Sequence, residues 1–186
     1  MIKSETMNRE KVFSLYLLFV SLLGMFFAFI VTFRFGAGLA TDGARYLSTA
    51  ESLIHGKGFV EYLGVPLTQF PPVYSIIIAI IGWSTRADVF FIAQYLNIVT
   101  FGLTIWLAGK FFRKIFPENL LYAYIGSVLF VTSLSLLRMA SNILSDLMFL
   151  ALTIAFLILA TNFVENPSRK NLLALGSLCA VSPLLR

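Results

Sequence analysis

The chain has 186 residues, 59% of them hydrophobic and 12% charged, whereas an ordinary soluble domain is roughly half apolar and about a quarter charged. That balance excludes water as its main solvent. The net charge is +5, but the 14 Lys and Arg residues are scattered around the apolar runs and form no stripe that could follow a phosphate backbone, which argues against nucleic acid as a partner.

Residues 1–11 are polar and carry Lys3, Arg9 and Lys11, after which residues 12–33 are apolar apart from Ser14, Ser21 and Thr32. About 20 apolar residues rising about 1.5 Å each match a hydrocarbon core about 30 Å thick, so this is the first expected span. Gly38-Leu39-Ala40 has the small residues of a cleavage site, but a signal peptide has an apolar region of only about 7–15 residues. A retained anchor is the better reading.

Residues 34–72 form a mixed loop expected outside the lipid. Within it, Thr41-Asp42 reads as an N-cap and Gly56-Lys57-Gly58 as a stop. They enclose a helix with Ala44, Leu47, Ala50 and Ile54 at helical spacing, expected to lie along the membrane surface. Pro71-Pro72 then opens an apolar run over 73–83 that is too short to cross a bilayer as a straight helix and is expected to be juxtamembrane or re-entrant.

Further spans are expected over 89–108, ending in the cluster Lys110, Arg113 and Lys114, then over 120–137 and 147–163. Residues 172–186 begin another, too short to cross by itself. The chain is therefore expected to be the N-terminal part of a longer all-α, polytopic membrane bundle. Its only cysteine, Cys179, can build neither a disulfide framework nor a thiolate metal site within this chain.

Basic residues are held on the cytoplasmic side of membranes. An N-terminus inside places Lys3, Arg9, Lys11, Lys110, Arg113, Lys114, Arg169 and Lys170 there, and leaves Arg34, Arg45, Lys57, Arg86 and Arg138 on the far side. That orientation puts Asp42 and Asp146 outside, and it holds only if 73–83 does not cross.

The first outer loop carries Thr41-Asp42-Gly43-Ala44-Arg45-Tyr46, then Gly56-Lys57-Gly58-Phe59, Gly64-Val65-Pro66 and Phe70-Pro71-Pro72-Val73-Tyr74. In that order these motifs resemble the membrane-embedded GT-C glycosyltransferases of the protein mannosyltransferase type, whose relatives transfer aminoarabinose to lipid A. The resemblance extends over Arg86 and the stretch from Arg138 to Asp146. Many members have an Asp-Glu pair in the first loop, where this chain has Asp42-Gly43.

The resemblance implies transfer of a sugar from a polyprenyl-phosphate carrier to a lipid, glycan or protein acceptor on the extracytoplasmic face, with inversion at the anomeric carbon. It implies a plasma membrane of the bacterial inner-membrane kind and no certain cofactor, with a divalent metal an open alternative that no residue pattern here indicates. Asp42 is the expected base, since a positioned carboxylate taking up the acceptor's proton contributes roughly 10² to 10⁴ in rate. Helix capping is its plain alternative.

The leaving phosphate needs fixed cations, and the candidates are Arg45, Arg138 and Arg186, of which the first two are equally explained by interfacial snorkelling. Asp146 is expected either to cap the following helix or to be a second acid of the site. Tyr46 and Tyr74 are candidate lining residues, although tyrosines gather at membrane interfaces anyway. His55 lacks the spacing of a metal site and reads as a surface residue, while Gln94 and Asn97 read as bonding between helices.

Two other functions compete. A transporter or flippase subunit calls for broken or charged mid-membrane helices in repeated halves, and the sequence has no such symmetry. A non-catalytic scaffold related to these transferases would use Asp42 only as a cap. The chain by itself is expected to transfer no sugar.

Overall fold

Local sequence and solvent together divide this chain into helices. A computed structural model describes residues 2–185, with side chains from residue 9 onward; Met1 and Arg186 lie outside the described residues. The chain forms α1 (Ile2–Phe35), α2 (Thr41–Ile54), α3 (Val73–Thr85), α4 (Val89–Ile115), α5 (Leu120–Thr132), α6 (Leu134–Ser141), α7 (Asp146–Glu165) and α8 (Arg169–Val181), then a 3-10 turn at Ser182–Leu184. The described residues are all-α, 78% helical and without strands.

Three helices, α1, α4 and α7, are long and apolar enough to cross a membrane. A span over 120–137 is not seen as one helix, because α5 and α6 meet at a bend of 52°. The break falls at Ser133, whose backbone is extended and whose side chain accepts from Leu136 N. A serine hydroxyl competes for backbone groups in this way and starts a new helix where an apolar side chain would continue the old one. The apolar run from 172 is also interrupted: α8 ends at Val181, and Pro183 sits in the 3-10 turn after it, where its missing N–H cannot extend the α-helix.

α4 lies at the centre, packed against α1, α5, α6 and α7 and reaching α2 and α3. Val20 and Ala28 of α1, Phe101 and Ile105 of α4, Val131 of α5 and Leu147 of α7 share one buried cluster. Gly109 lets α1 come close, since an added methyl would run into the Leu17 side chain, the small-residue contact that membrane helices use. The opposite faces present Phe19, Phe26, Phe33 and Leu129 outward, a surface suited to hydrocarbon.

At one end of the bundle, Arg113 Nη2 meets Glu10 Oε1 at 2.7 Å and Lys114 Nζ meets Glu165 Oε2 at 2.6 Å. These pairs tie α1, α4 and α7 together there. The other end carries α2, α3 and the links between helices. α2 buries Tyr46, Leu47 and Ala50 against Tyr74 and Ile78 of α3 and Ile92 and Ala93 of α4. It stops as its sequence predicts: Gly56 takes φ 71°, Gly56 N donates to Leu53 O and Lys57 N to Ser52 O. This is the paired-bond helix ending that glycine permits.

Candidate functional site

The site is assembled by two chain crossings that link distant segments. After α1, Gly38 N donates to Ser141 O and Ile143 N donates to Gly38 O, both at 2.9 Å. These bonds lay the α1–α2 connection alongside the link from α6 to α7. Gly43, in the first turn of α2, packs so closely on this link that an added Cβ would stand 2.5 Å from the Ile143 carbonyl oxygen.

A polar pin holds the link from the other side. Asn97 of α4 is buried; its amide donates to Asn142 O at 2.5 Å and Leu144 O at 3.4 Å, while its Oδ1 accepts from the Tyr74 hydroxyl at 3.0 Å. Burial pushes the Tyr74 hydroxyl above the ordinary tyrosine range, which keeps it a donor. Tyr74 stacks edge-on against Tyr46 at 5.1 Å, and the Tyr46 and Ser145 hydroxyls are 3.1 Å apart.

These contacts place Asp42 and Asp146, far apart in sequence, on the walls of one cleft of about 300 Å³ that is also lined by Tyr46, Gln69, Phe70 and Ser145. Neither carboxylate holds its helix's cap position. Ala40 is the N-cap of α2 and Ser145 that of α7, with no side-chain cap bond at either. Both acids instead sit in the first turn of their helices.

Of the other expected site residues, Tyr46 lines the cleft and Tyr74 lies behind it, fully buried. Arg45 is not among the lining residues. Its Nε stands 3.2 Å from Glu61 Oε2, its Nη1 donates to Gln69 Oε1 at 2.7 Å, and its guanidinium lies 5.1 Å from the Phe70 ring centre. Arg45 thereby braces the two loop residues that form a cleft wall. Arg138 is exposed in the last turn of α6 and outside the cleft lining, and Arg186 lies outside the described residues.

Glu61, Gln69 and Ser145 are the contributors that sequence reasoning missed. Gln69 stands just ahead of Phe70-Pro71-Pro72 and Ser145 just ahead of Asp146, so adjacency to motif residues was the available signal. Glu61 gave none. Among the described residues no group of three or more His, Cys, Asp or Glu is placed to hold a metal ion.

Two carboxylates, a carboxamide, hydroxyls and an aromatic face suit a ligand rich in hydroxyl or amine donors, one of which can give up a proton. In comparisons with protein-family models, curated proteins and solved structures, nothing matches the chain.

Proposed function

We propose that the protein belongs to an inverting glycosyl-transfer system that moves a sugar from a polyprenyl-phosphate carrier to an acceptor on the extracytoplasmic face. The observation that carries this reading is the meeting of Asp42 and Asp146 in one cleft, each beside a helix N-terminus and neither occupying a cap position. The ordered motifs of the first outer loop supply the family resemblance. An N-terminus in the cytosol turns this cleft outward and the Arg113–Glu10 and Lys114–Glu165 pairs inward.

In the proposed reaction the acceptor oxygen or nitrogen attacks the anomeric carbon from the side opposite the phosphate. A carbon–oxygen bond to the carrier phosphate breaks, the phosphate leaves with the electron pair, and Asp42 takes the acceptor's proton. Asp146 and Gln69 bind sugar hydroxyls, and Phe70 offers a flat apolar face. The charge developing on the phosphate calls for cations. Of the three expected arginines, Arg45 is already opposite Glu61 and Arg186 lies outside the described residues, which leaves Arg138 as the candidate.

The test is Asp42→Asn introduced at the native locus, with membranes supplied with polyprenyl-phosphate sugars and products read by mass spectrometry. Transfer is expected to fall by about 10² to 10⁴ at unchanged protein level. Unchanged transfer contradicts the proposal and returns the protein to the scaffold reading.

A second reading, a transporter or flippase subunit, draws on the 52° break between α5 and α6, since discontinuous helices line many transport sites. Flux of a polyprenyl-phosphate sugar across proteoliposomes, without transfer to an acceptor, would favour it.

A further inference from the structure

At the far end of α2 from Asp42, α2 and α3 leave between them an apolar groove of about 240 Å³, lined by Leu53, Ile54, Ala79, Ile80 and Trp83. Ile54 and Trp83 also line a neighbouring hollow of about 840 Å³, together with Glu51, Arg86 and Asp88. One surface therefore passes from hydrocarbon to charge across a tryptophan. Trp83 is 74% exposed, and tryptophan is the residue that settles where acyl chains meet headgroups.

The charged half has two further features. Arg86 closes α3 in the left-handed region, with φ 58°, a conformation that glycine or asparagine holds with less strain. Its guanidinium makes no hydrogen bond or ion pair with another described residue. Facing the same hollow, Glu51 is exposed and 3.6 Å from His55 Nδ1, and Asp88 spends one oxygen on Phe90 N at 2.7 Å, leaving its other oxygen to accept a donor.

We propose that this surface binds a zwitterionic aminophospholipid. An acyl chain lies in the groove against Trp83, the phosphate is bound by Arg86, and the primary ammonium lies between Glu51 and Asp88. Charge complementarity selects this occupant. The hollow offers one cation and two carboxylates, which a headgroup with one phosphate and one hydrogen-bonding ammonium matches. A glycerol headgroup gives the carboxylates no cation, and a choline gives them no N–H donor.

The test uses Trp83 as its own reporter. The chain has two tryptophans, so Trp106→Phe leaves Trp83 alone. The full chain is reconstituted into phosphatidylcholine vesicles containing a rising fraction of lipid with brominated acyl chains, which quench tryptophan on contact. Brominated phosphatidylethanolamine is expected to quench Trp83 at about a tenfold lower mole fraction than brominated phosphatidylcholine or phosphatidylglycerol, the size of effect one charge-assisted contact gives.

Glu51→Gln combined with Asp88→Asn, in which the new amide oxygen still caps α4, is expected to abolish that preference, because these two carboxylates alone tell the ammonium from choline and glycerol. Arg86→Gly relieves the left-handed turn and so keeps the fold, and it is expected to raise the quenching fraction for all three lipids, which share the phosphate. Arg169→Gln, at the start of α8, is expected to change neither. Equal quenching by the three headgroups overturns the proposal. So does a preference that survives loss of both carboxylates, unchanged quenching in Arg86→Gly, or a preference that Arg169→Gln also removes. No sugar transfer is measured, so the outcome is independent of the enzymatic reading.

Discussion

The side-chain amide of Asn97 donates to the main-chain carbonyl of Asn142, 45 positions later, at 2.5 Å. The same side chain reaches Leu144 O and accepts from Tyr74. One buried carboxamide therefore joins α3 and α4 to the extended link that delivers Asp146. The position of that acid is set by hydrogen bonds rather than by apolar packing alone.

Asn97→Ala leaves the Tyr74 hydroxyl and the Asn142 carbonyl without this partner, and an unsatisfied buried group costs about 1–3 kcal/mol. For the two groups together melting in detergent should fall by at least about 4 °C, at roughly 2–4 °C per kcal/mol for a chain of this size. Tyr74→Phe removes one bond of the three and should cost less, about 1 kcal/mol. A variant of Asn97 that melts like the parent would remove the pin from the account of the cleft.

Gly43→Ala tests the contact between α2 and the link. The added methyl meets the backbone carbonyl of Ile143 at 2.5 Å, so the backbone has to shift, and overpacking of this kind costs about 1–3 kcal/mol. Gly43→Glu, with a larger side chain at the same contact, should be worse. The second acid of the cleft is Asp146, which comes from another helix. A Gly43→Glu variant with unchanged melting and unchanged cysteine accessibility at position 146 would contradict this.

The long apolar runs made α1, α4 and α7 legible, because solvent selects helices of that length whatever their partners. Pro71-Pro72 and Gly56 marked where α3 starts and α2 stops, since backbone restriction and left-handed tolerance are properties of single residues. The break at Ser133 was not legible. Thr132 and Ser135 stand beside it, but α4 carries Thr100 and Thr104 without breaking, so hydroxyl residues alone did not mark the end of α5.

The cleft was half legible. Asp42 and Tyr46 stood in one motif, and Asp146 was visible as an acid at a helix start. Their meeting depends on the Gly38 and Asn97 bonds to the 141–144 link, which no spacing encodes. Thr41-Asp42 had the composition of a cap, but Ala40 occupies that position because the chain enters α2 one residue earlier.

Arg45→Ala removes the cation opposite Glu61, whose side chain is only 7% exposed. Breaking a buried pair by deleting one partner costs about 3–5 kcal/mol, and the 19% exposure of the Arg45 side chain moves the expectation below that range. Limited proteolysis should show faster cutting within residues 59–68, and Arg45→Ala combined with Glu61→Gln should recover part of the resistance. Unchanged cutting in the single variant would mean that Arg45 does not brace this loop.

The most direct measurement combines Asp42→Cys and Asp146→Cys in a Cys179→Ser background, which removes the chain's only native cysteine. Intact cells are treated with a short, membrane-impermeant bifunctional thiol reagent. An intramolecular cross-link formed from outside, and absent from either single variant, is the predicted result. Labelling that requires permeabilised cells, or two accessible thiols that never link, would contradict a shared cleft on the extracytoplasmic face.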